Sequence, residues 1–426
     1  MATHGPGQGG EAVPRLVGQL HTDAALLDAA SVDFGRQTVR RPRAVFEPAH
    51  AADVAAMVRR GRATGVPVVV RGAGHTVDAQ TLTAGGVVIS LTALASVGSV
   101  ISEPTSAAAG SAPPVSSVRV EAGARWRDVV AVTLPLGLAP PVLPDYLDLT
   151  VGGTIAAGGV GGASHRHGSV ADNVIALDVV TPAGDLVTCS AGGLFDAVRG
   201  TQGAHGIITA ATLTLHPVAA AVVRHRLAYP SLGPFLDDQH RLIAAPRFDH
   251  FVGQALWAGQ GWSFVIDAAA ADPAPLDDLA AAEVTTEKVS AAEFVHRLDP
   301  LVDQARATGS WQGDAHPRAN VFLPGRHAAG VIGAVVRELT PADLGPGGSV
   351  LIYAIPTARL AAPRMPKADD PVTVVFGVQR TAPAGDRVAL ARMRRANAAL
   401  QVTARRLGGA SYSHPAAGRR VRRYPV

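Results

Sequence analysis

The stretch VPVVVRGAGHTVDAQTLTAGGVVISL, residues 66–91, places a histidine in a glycine-flanked turn directly after an apolar strand. Gly72 and Gly74 flank Ala73, so successive backbone amides can turn toward one point without obstruction by a Cβ atom. Such a nest of N–H groups binds anionic oxygens, for instance those of a pyrophosphate. His75 follows directly. The stretch therefore predicts a strand, an anion-binding turn and a second strand.

This turn differs from the dinucleotide-binding turn of a Rossmann fold. Val77 stands where the fingerprint G-x-G-x-x-G requires its third glycine, and the residues after it do not read as a helix. The residues alone leave two interpretations of His75. It is either a turn histidine that hydrogen-bonds to backbone or a side chain that reaches the ligand held by the turn.

A second glycine-rich block, PDYLDLTVGGTIAAGGVGGASHRHG, spans residues 144–168. Its centre almost lacks side chains and is too apolar for a linker, so a large flat ligand can lie against its backbone. Thr150 and Thr154 offer hydroxyl groups there. Asp145 is a candidate general base, because a carboxylate in an apolar setting is suited to accept a proton. The alternative is a structural aspartate that caps a helix or a turn.

His165 and His167 form an H-x-H pair that resembles part of a metal site. A protein metal site needs at least one more ligand, and none is visible nearby in the sequence. We therefore expect no bound metal.

The composition describes a folded protein, with 47% hydrophobic and 17% charged residues. Part of its basicity lies in an arginine run within residues 419–423, which is typical of a solvated tail, so we expect no nucleic-acid partner. The lone Cys189 excludes an intramolecular disulfide. Neither a secretory leader nor an apolar stretch of membrane-spanning length is present, which predicts a cytoplasmic protein without a membrane partner.

The periodicity along the chain predicts two domains, each with its own core. Residues 1–217 read as mixed helices and strands, including a helix over Ala51–Gly65, a surface loop over Ser99–Ser117, and a hairpin, short helix and strand over 171–217. Residues 218–385 read as an antiparallel sheet covered by helices, one of them over Ala271–Glu283. Residues 386–426 are a C-terminal helix and a short tail that returns toward the first domain.

Three separated blocks resemble, in order and spacing, the flavin domain of the vanillyl-alcohol-oxidase superfamily, and most of all cytokinin dehydrogenases. They are RGAGHTVDAQTLTAGGVVISL, LAPPVLPDYLDLTVGGTIAAGGVGGASHRHGSVADNVIALDVVTPAGDLVTCS and GTQGAHGIITAATLTLHP. The resemblance covers most of residues 30–217. It implies a two-domain FAD-binding PCMH-type fold of the α+β class, with a small-molecule substrate in the second domain.

The resemblance also implies site residues. His75 corresponds to the histidine that is bonded covalently to the flavin ring in that family. Asp145 corresponds to the aspartate that lies against the cofactor and accepts the proton of the substrate amine. The other residues implied to contact FAD are Gly72, Ala73, Gly74, Thr76, Gln80, Thr150, Ala156, Val160 and Ile208.

Two segments depart from the family pattern. HPRANVFLP (316–324) resembles the block H-P-W-L-N-L-F-V-P, but Arg318 and Ala319 replace Trp and Leu, which leaves the substrate open. After LGGASYSHP (407–415) the family's ending that returns to the flavin is missing. The residues there are mostly Gly, Ala, Pro and Arg, so we expect residues beyond about Gly409 to be poorly ordered and one side of the FAD site to be more open.

Together these features predict an FAD-dependent oxidoreductase that acts on a secondary amine of the N6-substituted adenine type. Hydride transfer to FAD and hydrolysis of the imine are the implied steps, with oxygen or a quinone as the electron acceptor. Two alternatives remain. One is an FAD-linked oxidase of an alcohol or a carbohydrate, and the other is a degenerate flavin-fold protein that binds a ligand without turnover.

Overall fold

The computed structural model describes residues 16–103, 115–259 and 261–412. In these ranges helices alternate with strands that form three sheets, and antiparallel pairings predominate. This arrangement confirms the predicted α+β class.

The first sheet carries the anion-binding turn. Its order is β1-β2-β4-β3, and β4 runs parallel to both β2 and β3. Because β3 and β4 are parallel neighbours, residues 72–86 must run back along the whole length of the sheet before β4 can begin. The predicted helix is present and ends at Gly65 with a φ of 68°. The elements are β1 Gln19–His21, α1 Ala24–Ala30, β2 Ala44–Glu47, α2 Ala51–Thr64, β3 Val68–Arg71 and β4 Val87–Ser90.

The second sheet is antiparallel, in the order β5-β6-β10-β8-β9, with β7 paired to β10. Its strands are β5 Val97–Glu103, β6 Val115–Glu121, β7 Leu138–Ala139, β8 Val174–Val180, β9 Leu186–Cys189 and β10 Ile207–Pro217. Its helices are α3 Trp126–Thr133, α4 Val151–Ala157, α5 Ser164–His167 and α6 Gly193–Val198. The hairpin, short helix and strand predicted over 171–217 are confirmed.

The surface loop predicted over Ser99–Ser117 is wrong at both ends. Strand β5 continues to Glu103 and β6 begins at Val115, and the two pair through contacts such as Val100 with Val118. Val118 is fully buried, and burial of such side chains outweighs the loop-like serine content. The intervening part of the predicted loop lies outside the described residues.

The third sheet is antiparallel throughout, in the order β14-β11-β13-β12-β16-β17-β15-β18. Its strands are β11 Ala221–Tyr229, β12 His250–Trp257, β13 Trp262–Ala270, β14 Glu283–Ser290, β15 Ala319–Pro324, β16 Ser349–Pro356, β17 Val372–Gln379 and β18 Ala410–Ser411. The helices are α7 Leu232–Ala244, α8 Ala291–Val295, α9 Asp299–Ala307, α10 Ser310–Gly313, α11 Gly325–Glu338, α12 Pro341–Leu344 and α13 Arg387–Arg406. The predicted antiparallel sheet with helices is therefore confirmed.

The helix predicted over Ala271–Glu283 is absent. The chain there is a loop that leads into β14, in which Leu276 and Leu279 form a turn. Pro273 and Pro275 explain the error, because each proline lacks an N–H and disfavours helical backbone at the residue before it.

The end of the described chain also differs from expectation. Ala410 and Ser411 pair with β15, and the hydroxyl of Tyr412 accepts a hydrogen bond from the amide of Gly159 at 3.1 Å. The prediction of poor order directly after Gly409 is thus wrong for these residues, because β15 pairs with two of them and the amide of Gly159 binds the third. Residues 413–426, to which the prediction also referred, lie outside the described part.

Buried apolar side chains form one continuous cluster with members on all three sheets, and a small second cluster lies around Leu27 and Val88. The sequence predicted a separate core for each domain. One cluster forms because side chains of the glycine-rich block, such as Val151 and Ile155, are themselves part of the core. No helix among the described residues is long and apolar enough to cross a membrane.

Trp126 provides a test of this core. It is fully buried, and its Nε1 donates to Thr154 Oγ1 at 2.9 Å, which ties α3 to α4. Trp126→Phe leaves a void and removes this bond, so we expect the free energy of unfolding to fall by about 2–3 kcal/mol.

Urea denaturation of both proteins measures this change, with equal m-values as the check that only stability has moved. Trp257→Phe is the matched control, because Trp257 is 41% exposed and its substitution should cost less than about 1 kcal/mol. Equal losses in the two variants would contradict the importance of the α3–α4 contact.

Candidate functional site

A cavity of about 540 Å³ lies where the turn after β3, helix α4 and the edge of the third sheet meet. Apart from Asp145, all residues implied to contact the cofactor line this one cavity: Gly72, Ala73, Gly74, His75, Thr76, Gln80, Thr150, Ala156, Val160 and Ile208. The two glycine-rich blocks, which are far apart in the sequence, therefore line a single cavity.

Two glycines make this close approach possible. Gly74 has a φ of 75°, a left-handed conformation that other residues adopt only with strain. A Cβ atom on Gly72 would overlap Thr150 Oγ1 at the start of α4. The turn can therefore lie against α4 because Gly72 lacks a side chain, and Gly74 allows the backbone conformation of the turn itself.

The turn is held from behind by Asp33. Its Oδ2 accepts hydrogen bonds from Thr76 Oγ1 at 2.9 Å and from the amide of Ala79 at 2.8 Å. Burial raises the pKa of this carboxyl group. The amide of Phe34 also donates to the carbonyl of Gly74 at 2.9 Å. Sequence reasoning missed this support, since the segment around Asp33 has no pattern that relates it to a turn more than forty residues away.

His75 lies among aromatic rings. Its ring stacks on Phe34 with centroids 3.9 Å apart, and Tyr146 approaches to 4.6 Å. Phe34 stacks in turn on His316 at 4.0 Å. Burial and the positive charge of Arg318 hold the pKa of His75 well below its usual value. The imidazole is therefore neutral at physiological pH and keeps a nitrogen lone pair, which is the form that can act as a nucleophile.

Asp145, which directly follows Pro144 of the cavity lining, lies in an ion pair. Arg297 approaches its Oδ1 to 2.5 Å, and His250 lies 3.5 Å away. Burial would raise the pKa of Asp145, but Arg297 and His250 lower it well below the ordinary range. The carboxylate is therefore ionised at every physiological pH, which makes it a stable acceptor of hydrogen bonds and a weak base.

Asp145 itself does not line the cavity, whereas the adjacent Pro144 does. Its electrostatic influence reaches the buried Tyr353, whose pKa is raised by burial and then by Asp145 and Tyr412. Tyr412, which directly follows β18 of the third sheet, belongs to the wall of the cavity. The amide side chain of Gln202 donates to the carbonyl of Tyr412 at 2.8 Å and connects this wall to the first domain.

The structure adds residues that sequence reasoning did not single out. They are Phe34, Tyr146, Arg297, His250 and Tyr412. Only Tyr146 and Tyr412 had a visible signal, because one follows Asp145 directly and the other lies in the family-like run LGGASYSHP.

His165 does not face the cavity. Its two ring nitrogens lie 2.9 Å from the carbonyl of Gly162 and 3.0 Å from that of Phe248, so it joins the glycine-rich block to the third sheet. Among the described residues no group of three or more His, Cys, Asp or Glu side chains is arranged to hold a metal ion.

The residues that line the cavity fit FAD. Backbone amides without Cβ atoms suit a pyrophosphate, and the side-chain-poor wall of α4 suits a flat ring. The cavity also extends from Arg40 and Val68 near the first sheet to Tyr412 on the third, as an elongated dinucleotide requires.

Comparison with known proteins agrees with this geometry. Residues 42–190 match the family model described as FAD binding domain. The protein named "Uncharacterized oxidoreductase ORF5 in fasciation locus" from Rhodococcoides fascians is 36% identical over 93% of this chain and 90% of its own length. Cytokinin dehydrogenase 1 from Oryza sativa subsp. japonica is 31% identical over 88% of this chain and 80% of its own.

Cytokinin dehydrogenase 7 from the same plant is 41% identical over 250 residues, which are 56% of this chain and 46% of that protein. The fold, the composition of the cavity and these similarities agree with each other. The chain is an FAD-binding oxidoreductase and belongs to the cytokinin dehydrogenase-like members of the PCMH-type FAD flavoprotein superfamily.

Proposed function

We propose that this protein oxidises the carbon–nitrogen bond of a secondary amine and that His75 carries its FAD through a covalent bond. The observation that supports this proposal most is the placement of two groups at one cavity. A neutral imidazole lies in its wall, and an ionised carboxylate, that of Asp145, directly follows Pro144 of the same lining.

When bound, FAD supplies an acceptor for the hydride that leaves the carbon next to the nitrogen. The nitrogen loses a proton at the same time, so the substrate becomes an imine, and water converts the imine to an amine and an aldehyde. The chain must therefore hold the N–H group, fix the carbon against the cofactor and provide an acceptor for one proton.

Asp145 suits the first and third of these tasks. Because Arg297 keeps it ionised, it offers hydrogen-bond acceptors to an amine N–H at any physiological pH. The same ion pair makes it a weak base, so the proton moves only as the hydride departs and the nitrogen becomes acidic. Arg297 is thus a positioning residue that sets the charge of Asp145.

His75 suits attachment of the cofactor. Stacking on Phe34 restricts the orientation of its ring, and burial keeps it neutral. Thr76 and Gln80 lie on the same turn and would contact the cofactor next to the attachment point. Oxygen or a quinone would then reoxidise the flavin.

An anaerobic screen tests the substrate class. Holoenzyme is mixed with N6-substituted adenines, other secondary amines, alcohols and sugars, and bleaching of the flavin absorbance is recorded. Bleaching by amines supports the proposal. Bleaching by alcohols or sugars alone would instead support an FAD-linked alcohol or carbohydrate oxidase, and no bleaching would indicate a binding protein without turnover.

His75→Ala should abolish covalent attachment without unfolding the protein, because the lost ring contacts lie at the cavity and His75 is not part of the apolar core. After acid precipitation, flavin should stay in the pellet of the parent protein and appear in the supernatant of the variant. His240→Ala is the matched control, since His240 is exposed on α7 and far from the cavity lining. An FAD-bearing peptide that lacks His75 would contradict the assignment.

Asp145→Asn keeps the shape of the side chain and removes the proton acceptor. We expect the rate constant of flavin reduction by the amine to fall by about 10²- to 10⁴-fold, with unchanged flavin content. Stopped-flow absorbance without oxygen measures this rate constant. Asp249→Asn is the control, because Asp249 is exposed and pairs with Arg166. If the Asp145→Asn variant is reduced at the parental rate, Asp145 does not accept the proton and has a structural role instead.

Arg297→Gln removes the cation that lowers the pKa of Asp145, while the burial that raises this pKa remains. The carboxyl group of the variant should therefore become protonated at a higher pH. We expect the acidic limb of the pH profile of flavin reduction to move upward in the variant. Arg297→Lys, which keeps the charge, should restore a profile close to the parent. Coincident acidic limbs in the parent and the Arg297→Gln variant would argue against control by Arg297.

A further inference from the structure

Arg318 brings a positive charge to the cavity wall without an acidic partner. It precedes β15 and lines the cavity, and its Nε is buried and has no hydrogen-bond partner. Its guanidinium carbon lies 4.7 Å from the centre of the Phe34 ring and 5.9 Å from that of Trp311. Within the described ranges, no carboxylate forms an ion pair with it.

The two carboxylates in the segment after Pro144, which lines the cavity, are already paired with other arginines. Asp145 pairs with Arg297, and Asp148 pairs with Arg127 and Arg306. Burial lowers the pKa of Arg318 to about 10, so the side chain still remains positive at neutral pH. A partly buried charge without a counter-ion is costly, and its presence in a cavity indicates a ligand that compensates it.

The surroundings also leave the hydrogen-bonding groups of this guanidinium free for a ligand. The guanidinium carbon lies over the Phe34 ring, and an arginine placed in this way can keep N–H groups available for a partner. The two nearest histidines, His75 and His316, have pKa values below their usual value through burial and through Arg318 itself, so neither adds a positive charge. Among the described lining residues, Arg318 is therefore the cation on this part of the wall, whereas Arg40 lies at the end near the first sheet.

We infer that Arg318 binds a carboxylate of the substrate, so that the amine oxidised here carries a negative charge away from its reacting nitrogen. The amine part of this statement rests on the proposed function. A single guanidinium suits a monoanion and binds the two oxygens of a carboxylate with its parallel N–H groups. A phosphate dianion requires more positive charge than this site offers.

The position of Arg318 favours the substrate over the cofactor as its partner. Arg318 comes from the third sheet, whereas the loops that fit FAD come from the first domain. Asn320 and Gln379 on β15 and β17 line the same part of the wall, with Gln379 Nε2 donating to Asn320 Oδ1 at 2.6 Å. This side of the cavity is therefore polar and suits a charged substituent.

The test compares two ligands of the oxidised holoenzyme, N6-carboxypropyl adenine and N6-butyl adenine, which differ by a terminal carboxylate. Their dissociation constants are measured from the change in flavin absorbance. We expect the parent protein to bind the carboxylate about 10- to 100-fold more tightly. Arg318→Leu and Arg318→Gln should abolish this preference, and Arg318→Lys should retain part of it.

Arg394→Gln is the matched control, because Arg394 is exposed on α13, and it should keep the full preference. Arg318→Leu removes an unpaired charge, so its unfolding temperature should not lie below that of the parent. Equal affinities of the two ligands in the parent, or an unchanged preference in Arg318→Leu, would overturn the inference. A variant that only shifts the midpoint potential of the flavin would likewise overturn it and place Arg318 against the cofactor.

Anaerobic reduction separates this inference from the proposed function. If neither adenine bleaches the flavin although the carboxylate still binds more tightly through Arg318, the amine-oxidation proposal fails and the anion site stands. If both ligands bleach the flavin but bind equally well, the amine-oxidation proposal stands and the anion site fails.

Discussion

The close approach of two backbones is the constraint on which this site depends. The turn after β3 and the start of α4 come from different parts of the chain, and they meet where Gly72 leaves room for the Thr150 hydroxyl. A side chain at this position would push α4 away and open the wall of the cavity. The long connection between β3 and β4, which their parallel pairing requires, is the segment that carries this turn.

Near this cavity, two carboxylates are paired with arginines, whereas one arginine has no carboxylate partner among the described residues. Asp145 and Asp148 lie close to the wall, and each has arginine partners that keep it ionised. Arg318 has no such partner among the described residues. In the proposed reaction, Asp145 would accept a hydrogen bond from the substrate and Arg318 would bind an anionic group of it. A substrate that carries both groups would be oriented by two contacts of opposite polarity, whereas a neutral one would be held by shape and a single polar contact.

Much of this could be predicted from the sequence, and the failures have physical causes. The strand–turn–strand around His75 was predictable because apolar strands and glycines are local signals. The residues of the cavity lining were reached through resemblance to a family. By contrast, the support from Asp33 and the pairing of Asp145 with Arg297 join residues far apart in the chain, which no local pattern reveals. Over Ala271–Glu283 a local signal was itself misleading, because the composition is typical of a helix but two prolines prevent one.

The hydrogen bond between Tyr412 and Gly159 joins residues 253 positions apart. The wall of the cavity is therefore incomplete until almost the whole described chain has been synthesised. The glycine-rich loops leave the ribosome early, whereas β18 and Tyr412 leave it much later. Domains generally fold in the order of their synthesis. The cavity that fits the cofactor is accordingly completed late in synthesis, and a translation product that ends before Tyr412 would lack this part of its wall.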